Sequence, residues 1–148
     1  MIREELGSTT TKPCIGMFEA AVTECLMLSR KFGVVCTGSG PKPLLVKGVS
    51  SFLGGSASDR WAGCLTSGLA VLQLREKDQQ ETVERLVKQT AGKVAQMGAE
   101  AIIMGCAGFA GMEGWMQGGV REAGCAEVRI VDGAKAGLRA LVGMLSVQ

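Results

Sequence analysis

Apolar residues along the chain follow two alternating periods, one typical of helices and the other of buried strands. The clearest helical pattern covers residues 78–97, where charged side chains occupy the face opposite the apolar one. Further helical patterns cover 16–31, 44–53, 112–123 and 133–145. In the last of these, the apolar residues fall in register at Ala134, Leu138, Leu141 and Leu145. Short apolar runs typical of strands cover 32–36, 61–65, 101–104 and 128–131, and a loop or short strand is expected up to Leu74.

This alternation predicts parallel strands joined by helices, which is an α/β fold with a doubly wound parallel sheet. Sheets of this kind bind ligands at the carboxyl ends of their strands. Two glycine-rich turns are predicted there, Thr37-Gly38-Ser39-Gly40 and Gly105-Cys106-Ala107-Gly108. The first is not a dinucleotide fingerprint, because Pro41-Lys42-Pro43 stands where the third glycine belongs. It is either an anion-binding turn or a tight connection between strand and helix.

Cys106 is the strongest candidate for chemistry. It lies between two glycines, after a predicted buried strand and before a predicted helix. Backbone N–H groups at such a position favour the thiolate, and the glycines allow a substrate to approach the backbone closely. The alternative is a cysteine that only packs at the end of a strand.

The composition removes several classes of chemistry. The 148 residues include no His and no Tyr, which excludes Ser-His-Asp and Cys-His catalysis and histidine-ligated metals. The six cysteines form no C-x-x-C pair, so we expect no metal site. Acid–base chemistry near neutral pH then depends on a cysteine, a lysine or a carboxylate with a shifted pKa.

Charge and hydropathy predict the setting. The net charge is +2 without a basic block, so nucleic acid is not an expected partner. No run approaches the ~20 apolar residues that span a membrane. The first residues lack the pattern of a signal peptide, so we expect a cytoplasmic protein with reduced cysteines.

Several segments resemble a known family in the right order along the chain. Residues 99–108, AEAIIMGCAG, are similar to the second catalytic-cysteine segment of the Asp/Glu/hydantoin racemase family. Residues 12–21 resemble the P-x-x-G-x-x-E-A helix start of that family, and residues 32–38 its next strand and substrate-side turn. Val131-Asp132-Gly133 resembles its last strand-to-helix junction. The resemblance is closest to the hydantoin racemase branch, including its fungal allantoin-pathway-like members.

The resemblance implies two pseudo-symmetric α/β lobes with the substrate between two facing cysteines. One thiolate removes the proton beside a carbonyl and the opposite thiol returns one, without a cofactor. Cys106 matches the second of these cysteines. The residues that match the substrate-binding positions are Gly105, Ala107 and Gly108 on one turn and Thr37 and Gly38 on the other. The implied partner is a small molecule, a hydantoin or another amino-acid derivative.

The chain also departs from the family pattern. It lacks the Asn-Pro-Asn-Thr-like motif and the first catalytic cysteine, so we expect an N-terminally truncated member with an incomplete first lobe. Residues 1–31 would be a helical remnant of that lobe, 32–132 the second lobe, and 133–148 a helix returning to the first. Cys14 lies in the wrong motif to replace the missing cysteine, and Cys36 is a weaker substitute.

Three consequences are expected from this departure. Racemisation would be impaired by the loss of the first cysteine segment. Helices without their sheet would expose apolar faces, which favours a homo-oligomer or other self-association. The alternatives are a one-cysteine relative that resembles arylmalonate decarboxylases, and an inactive fragment or interaction module.

Overall fold

A computed structural model describes residues 13–55 and 58–146. The helices within these ranges are α1 (Met17–Leu28), α2 (Lys42–Leu53), α3 (Gln80–Gln96), α4 (Glu113–Glu122) and α5 (Gly133–Leu145). The strands are β1 (Phe32–Cys36), β2 (Trp61–Thr66), β3 (Ala101–Met104) and β4 (Arg129–Asp132). Short 3-10 turns cover Leu72–Arg75, Lys77–Gln79 and Ala107–Phe109.

The four strands form one parallel sheet in the order β2-β1-β3-β4. The chain runs outward from β1 to β2 and then crosses back to β3, so the strand order reverses between β1 and β3. This is the doubly wound arrangement that the alternating pattern predicted. In such sheets a crevice opens beyond the carboxyl ends of the strands at the reversal.

Alternate residues of the central strands enter two separate cores. Val34 of β1 and Ile103 of β3 point to one core, where they pack with α1, α2 and α5. Val35 and Ile102 point to the other core, which α3 and α4 cover. Because both faces of the sheet are covered, β1 and β3 are apolar along their whole length rather than alternating.

Helices α1 and α5 lie side by side on one face of this sheet. Arg139 of α5 makes a two-pronged ion pair with Glu24 of α1, with an Nη2–Oε2 distance of 2.7 Å. Ala20 of α1 and Ala136 of α5 are buried in the core that they share with the sheet. The described parts of residues 1–31 and 133–148 thus pack against the sheet of residues 32–132.

Several element boundaries differ from those expected. The first helix ends at Leu28 rather than Lys31. Of the loop or short strand expected up to Leu74, the structure shows the loop, with a 3-10 turn at Leu72–Arg75. The apolar stripe of α5 is not the buried one: Ala134, Leu138 and Leu145 are exposed, whereas Ala136 and Gly137 are buried. Across residues 13–55 and 58–146, the helices are too short or too polar to cross a lipid bilayer.

Candidate active site

A cavity of about 200 Å³ lies beyond the carboxyl ends of β3 and β4. Its floor is the end of β3 and the turn that follows, and its walls come from α1, α2 and the start of α5. Most of the lining side chains are apolar. The lining residues are Met17, Phe18, Ala21, Leu45, Ile103, Met104, Gly105, Cys106, Ala107, Ala110, Asp132, Gly133 and Ala134. The two lining side chains with acid–base chemistry are Cys106 and Asp132.

Cys106 is half-buried and lies two residues beyond the end of β3. Its Sγ accepts a hydrogen bond from the N–H of Gly108, with an N–Sγ distance of 3.4 Å. It caps only the 3-10 turn Ala107–Phe109, because α4 does not begin until Glu113. The helix predicted over 112–123 is present as α4, but it begins seven residues beyond Cys106, so the thiol contacts one N–H of the short turn rather than a helix N-terminus.

The glycines beside Cys106 are required by close packing. A Cβ at Gly105 would lie 2.8 Å from Val34 Cγ1 and 3.0 Å from the carbonyl oxygen of Val35. A Cβ at Gly108 would lie 2.6 Å from Leu74 Cδ1. Both glycines therefore allow the turn to leave the sheet close against its neighbours.

Two backbone N–H groups of the turn after β3 donate hydrogen bonds within the protein. The N–H of Gly105 donates to the carbonyl oxygen of Val35 at 2.8 Å, and that of Gly108 points at Cys106 Sγ. The hydrogen bonds recorded within residues 13–55 and 58–146 do not involve the N–H groups of Cys106 and Ala107.

The turn after β1 lies outside the lining of this cavity. Thr37 is buried, and its carbonyl oxygen accepts hydrogen bonds from the N–H of Gly68 and the hydroxyl of Thr66. Gly38 packs beside the carbonyl oxygen of Leu69. Of the six site residues that the sequence predicted, the structure therefore brings Gly105, Cys106 and Ala107 together at the cavity. Thr37, Gly38 and Gly108 are not among its lining residues.

Asp132 is the charged residue among the lining residues that the sequence analysis did not assign to the site. It ends β4, where it is the register neighbour of Met104 on β3. Its Oδ1 accepts hydrogen bonds from the N–H groups of Ala134 at 2.8 Å and Lys135 at 3.1 Å, which makes it the N-cap of α5. The motif Val131-Asp132-Gly133 was the available signal, but an aspartate before a helix usually indicates a cap alone.

The other cysteines of the described residues differ in setting from Cys106. Cys36 is buried, and its Sγ lies 3.7 Å from that of Cys64 on the neighbouring strand. Burial raises the pKa of the Cys25 thiol to about 12, and burial together with Cys36 raises that of Cys64 to about 12. Residues 13–55 and 58–146 hold no cluster of three or more His, Cys, Asp or Glu suited to a metal ion.

Comparison with known proteins gives consistent matches. The family model described as Asp/Glu/Hydantoin racemase matches residues 1–141. An uncharacterized protein of Schizosaccharomyces pombe is 34% identical over 95% of this chain and 56% of its own length. A hydantoin racemase of Rhizobium meliloti is 34% identical over 68% of this chain and 40% of its own length.

A solved structure shows a similar fold. The crystal structure of an allantoin racemase from Pseudomonas fluorescens superposes with a TM-score of 0.74 and 26% identity, covering 98% of this chain and 57% of the other. The chain thus spans about half the length of the relatives it matches.

Proposed function

The chain belongs to the Asp/Glu/hydantoin racemase family, and on this premise we propose that it catalyses proton transfer at a carbon α to a carbonyl, without a cofactor. Cys106 is the acid and base of this reaction. The substrate is a hydantoin or another amino-acid derivative small enough for the cavity. One observation supports the proposal most: Cys106 lines a mostly apolar cavity at the carboxyl end of β3.

The geometry of the turn suggests how the reaction proceeds. The Cys106 thiolate removes the α-proton, and negative charge develops on the neighbouring carbonyl oxygen. The N–H groups of Cys106 and Ala107 stabilise this charge, as in other oxyanion sites. The apolar walls from Met17, Phe18 and Leu45 exclude water, which strengthens these interactions. The thiol then returns a proton to the same carbon.

Racemisation requires a second acid on the opposite face of the carbon. In the described part of the chain, Cys106 is the one cysteine that lines the cavity. We therefore propose that this chain by itself exchanges the α-hydrogen more efficiently than it inverts the centre. Inversion would be impaired, because the same thiol removes and returns the proton on a single face.

The test follows both events separately. Each enantiomer of a 5-substituted hydantoin is incubated with the protein in D₂O, with loss of the α-proton followed by NMR and configuration by chiral chromatography. We expect exchange with retained configuration, and a loss of about 10²- to 10⁴-fold in Cys106→Ala, as for removal of a general base. Cys125→Ala is the matched control, since Cys125 is a half-buried cysteine outside the cavity lining.

Two other results would contradict the proposal. Racemisation that is abolished by Cys36→Ala would assign the second acid to a thiol that is buried in this structure. Exchange no faster than in Cys106→Ala, with every hydantoin tried, would favour an inactive fragment or interaction module.

A one-cysteine decarboxylase is the second candidate, because one cavity cysteine is enough to protonate a carbanion from a single face. Its malonate-type substrate carries two carboxylates. The cavity lining holds the carboxylate of Asp132, and no Lys or Arg of residues 13–55 and 58–146 is part of it. Because like charges in a partly buried site repel, the lining favours the racemase-type reaction on a neutral substrate.

A further inference from the structure

The cavity is lined by the carboxylate of Asp132, whose two hydrogen bonds both go to the same oxygen. Asp132 Oδ1 is occupied by the N–H groups of Ala134 and Lys135. The hydrogen bonds found among residues 13–55 and 58–146 do not involve Oδ2. Asp132 is half-buried and lines the same apolar cavity as Cys106. Its capping bonds hold the carboxylate in place between this cavity and a second one, which Lys135 and Arg139 also line.

A nearby cation is already bound elsewhere. The hydrogen bond between Lys135 and Glu113 is the main cause of the raised pKa of Lys135, and the charge of Asp132 makes a smaller contribution. The Nζ–Oε1 distance to Glu113 is 2.7 Å. Since Lys135 pairs with Glu113, the Asp132 carboxylate keeps an acceptor for a donor that enters the cavity.

We propose that Asp132 determines substrate specificity by accepting a hydrogen bond from a ring N–H of a neutral cyclic ureide such as a hydantoin. This inference rests on the proposed function of the same cavity. Asp132 is the register neighbour of Met104, two residues before Cys106, so a small ring can contact the thiol and the carboxylate together. The ring N–H meets Oδ2, while its carbonyl oxygen faces the N–H groups of Cys106 and Ala107.

The same carboxylate excludes a second class of ligands. Free amino acids and ring-opened N-carbamoyl amino acids carry a carboxylate, which a site for them would normally pair with Arg or Lys. Within the described ranges the cavity lining has neither, and it has the negative charge of Asp132 instead. We therefore expect the closed ring to bind in preference to its ring-opened acid.

Binding is tested with a ligand that cannot react. 5,5-Dimethylhydantoin keeps both ring N–H groups but has no α-hydrogen, so calorimetry measures its affinity independently of proton transfer. Its 1-methyl and 3-methyl derivatives each remove one N–H. A hydrogen bond to a charged acceptor predicts that one of the two methylations weakens binding by about 10- to 100-fold.

The variants separate ligand binding from helix capping. Asp132→Asn and Asp132→Ser keep a side-chain oxygen that can cap α5, but both remove the second carboxylate oxygen. We expect an unfolding temperature close to that of the native chain, with an affinity for 5,5-dimethylhydantoin lower by about 10-fold or more. The preference between the native ligand and its methylated form should disappear in both variants. N-carbamoyl amino acids should bind better to Asp132→Asn than to the native chain.

The outcomes distinguish this inference from the proposed reaction. The inference is overturned if the native chain does not bind 5,5-dimethylhydantoin, if neither methylation matters, or if Asp132→Asn binds as the native chain does. Binding that depends on Asp132 without any α-proton exchange would leave the inference in place and refute the reaction. Exchange that depends on Cys106 but not on Asp132 would support the proposed reaction and refute the inference about Asp132.

Discussion

At the scale of single residues, the structure separates a cysteine at the cavity from cysteines inside the cores. We predict that iodoacetamide modifies Cys106 first in the native chain, because solvent reaches its thiol through the cavity. Cys25 and Cys64 should remain unmodified until the chain unfolds, since burial raises the pKa of each to about 12. Peptide mapping by mass spectrometry over a time course measures this order.

The comparison with Cys125 makes the labelling specific. Cys125 is also half-buried, but it lies outside the cavity lining. 5,5-Dimethylhydantoin should protect Cys106 and leave the labelling rate of Cys125 unchanged. Equal protection of both cysteines, or faster labelling of Cys25 than of Cys106, would show that the cavity does not govern access to the thiol.

The sequence predicted part of the site at this scale. Gly105, Cys106 and Ala107 were recognisable because a cysteine between glycines after a buried strand is a local pattern. Asp132 was not, because it lines the cavity only when β4 pairs with β3 and α1 packs beside it. Thr37 and Gly38 were expected at the site, but neither lines this cavity. The hydrogen bonds of Thr37 and the packing of Gly38 involve the segment after β2, and a local sequence pattern does not show such contacts.

At the scale of elements, α3 and α4 approach each other through two facing glycines. A Cβ at Gly119 would lie 2.0 Å from the carbonyl oxygen of Lys88, and one at Gly92 would lie 2.7 Å from that of Gly119. We predict that Gly119→Ala lowers the free energy of unfolding by about 2–3 kcal/mol, because the helices must separate. Urea denaturation followed by circular dichroism measures the change.

Gly114 provides the matched control within the same helix. A Cβ at this position meets nothing within 4 Å, so Gly114→Ala should leave stability unchanged or raise it by up to about 1 kcal/mol through helix propensity. If both variants lose the same stability, the loss would come from the helix itself rather than from its contact with α3.

The elements themselves were largely predictable, and the exceptions have physical reasons. Strand β3 was expected with its observed bounds, because the apolar run 101–104 is too short for a helix and ends at Gly105. The helix expected over 16–31 ends three residues early as α1, because Ser29 is extended and the polar residues Ser29-Arg30-Lys31 lead into β1. Within the loop or short strand expected up to Leu74, Leu72–Arg75 forms a 3-10 turn, and Leu74 reaches the core without a periodic pattern.

At the scale of the whole molecule, the placement of α5 decides which surface is exposed. Periodicity predicted a stripe through Leu138, Leu141 and Leu145, but it could not show which helix face meets the sheet. Small residues do so instead: Ala136 and Gly137 are buried, which lets α5 pack closely beside α1. The larger apolar side chains are left on the outer surface, together with Met27 and Leu28 of α1.

We predict that this outer surface makes the chain self-associate. Leu138 is 64% exposed, and Val142 and Leu145, one and two turns further along α5, are exposed beside it. Apolar patches of this kind on adjoining helices favour association with a second copy, because burying them releases ordered water. Sedimentation over a concentration series should show a dimer or larger species that dissociates on dilution.

A pair of variants locates the contact. Leu138→Glu should shift the equilibrium to the monomer, since a charge would have to be buried at the interface. Its effect on unfolding should stay within about 0.5 kcal/mol, because the side chain is exposed in the monomer. Leu44→Glu is the control, as Leu44 is a 75%-exposed leucine on α2 rather than on α1 or α5. A native chain that stays monomeric at every concentration would refute the prediction, whereas association weakened equally by both variants would place the contact elsewhere.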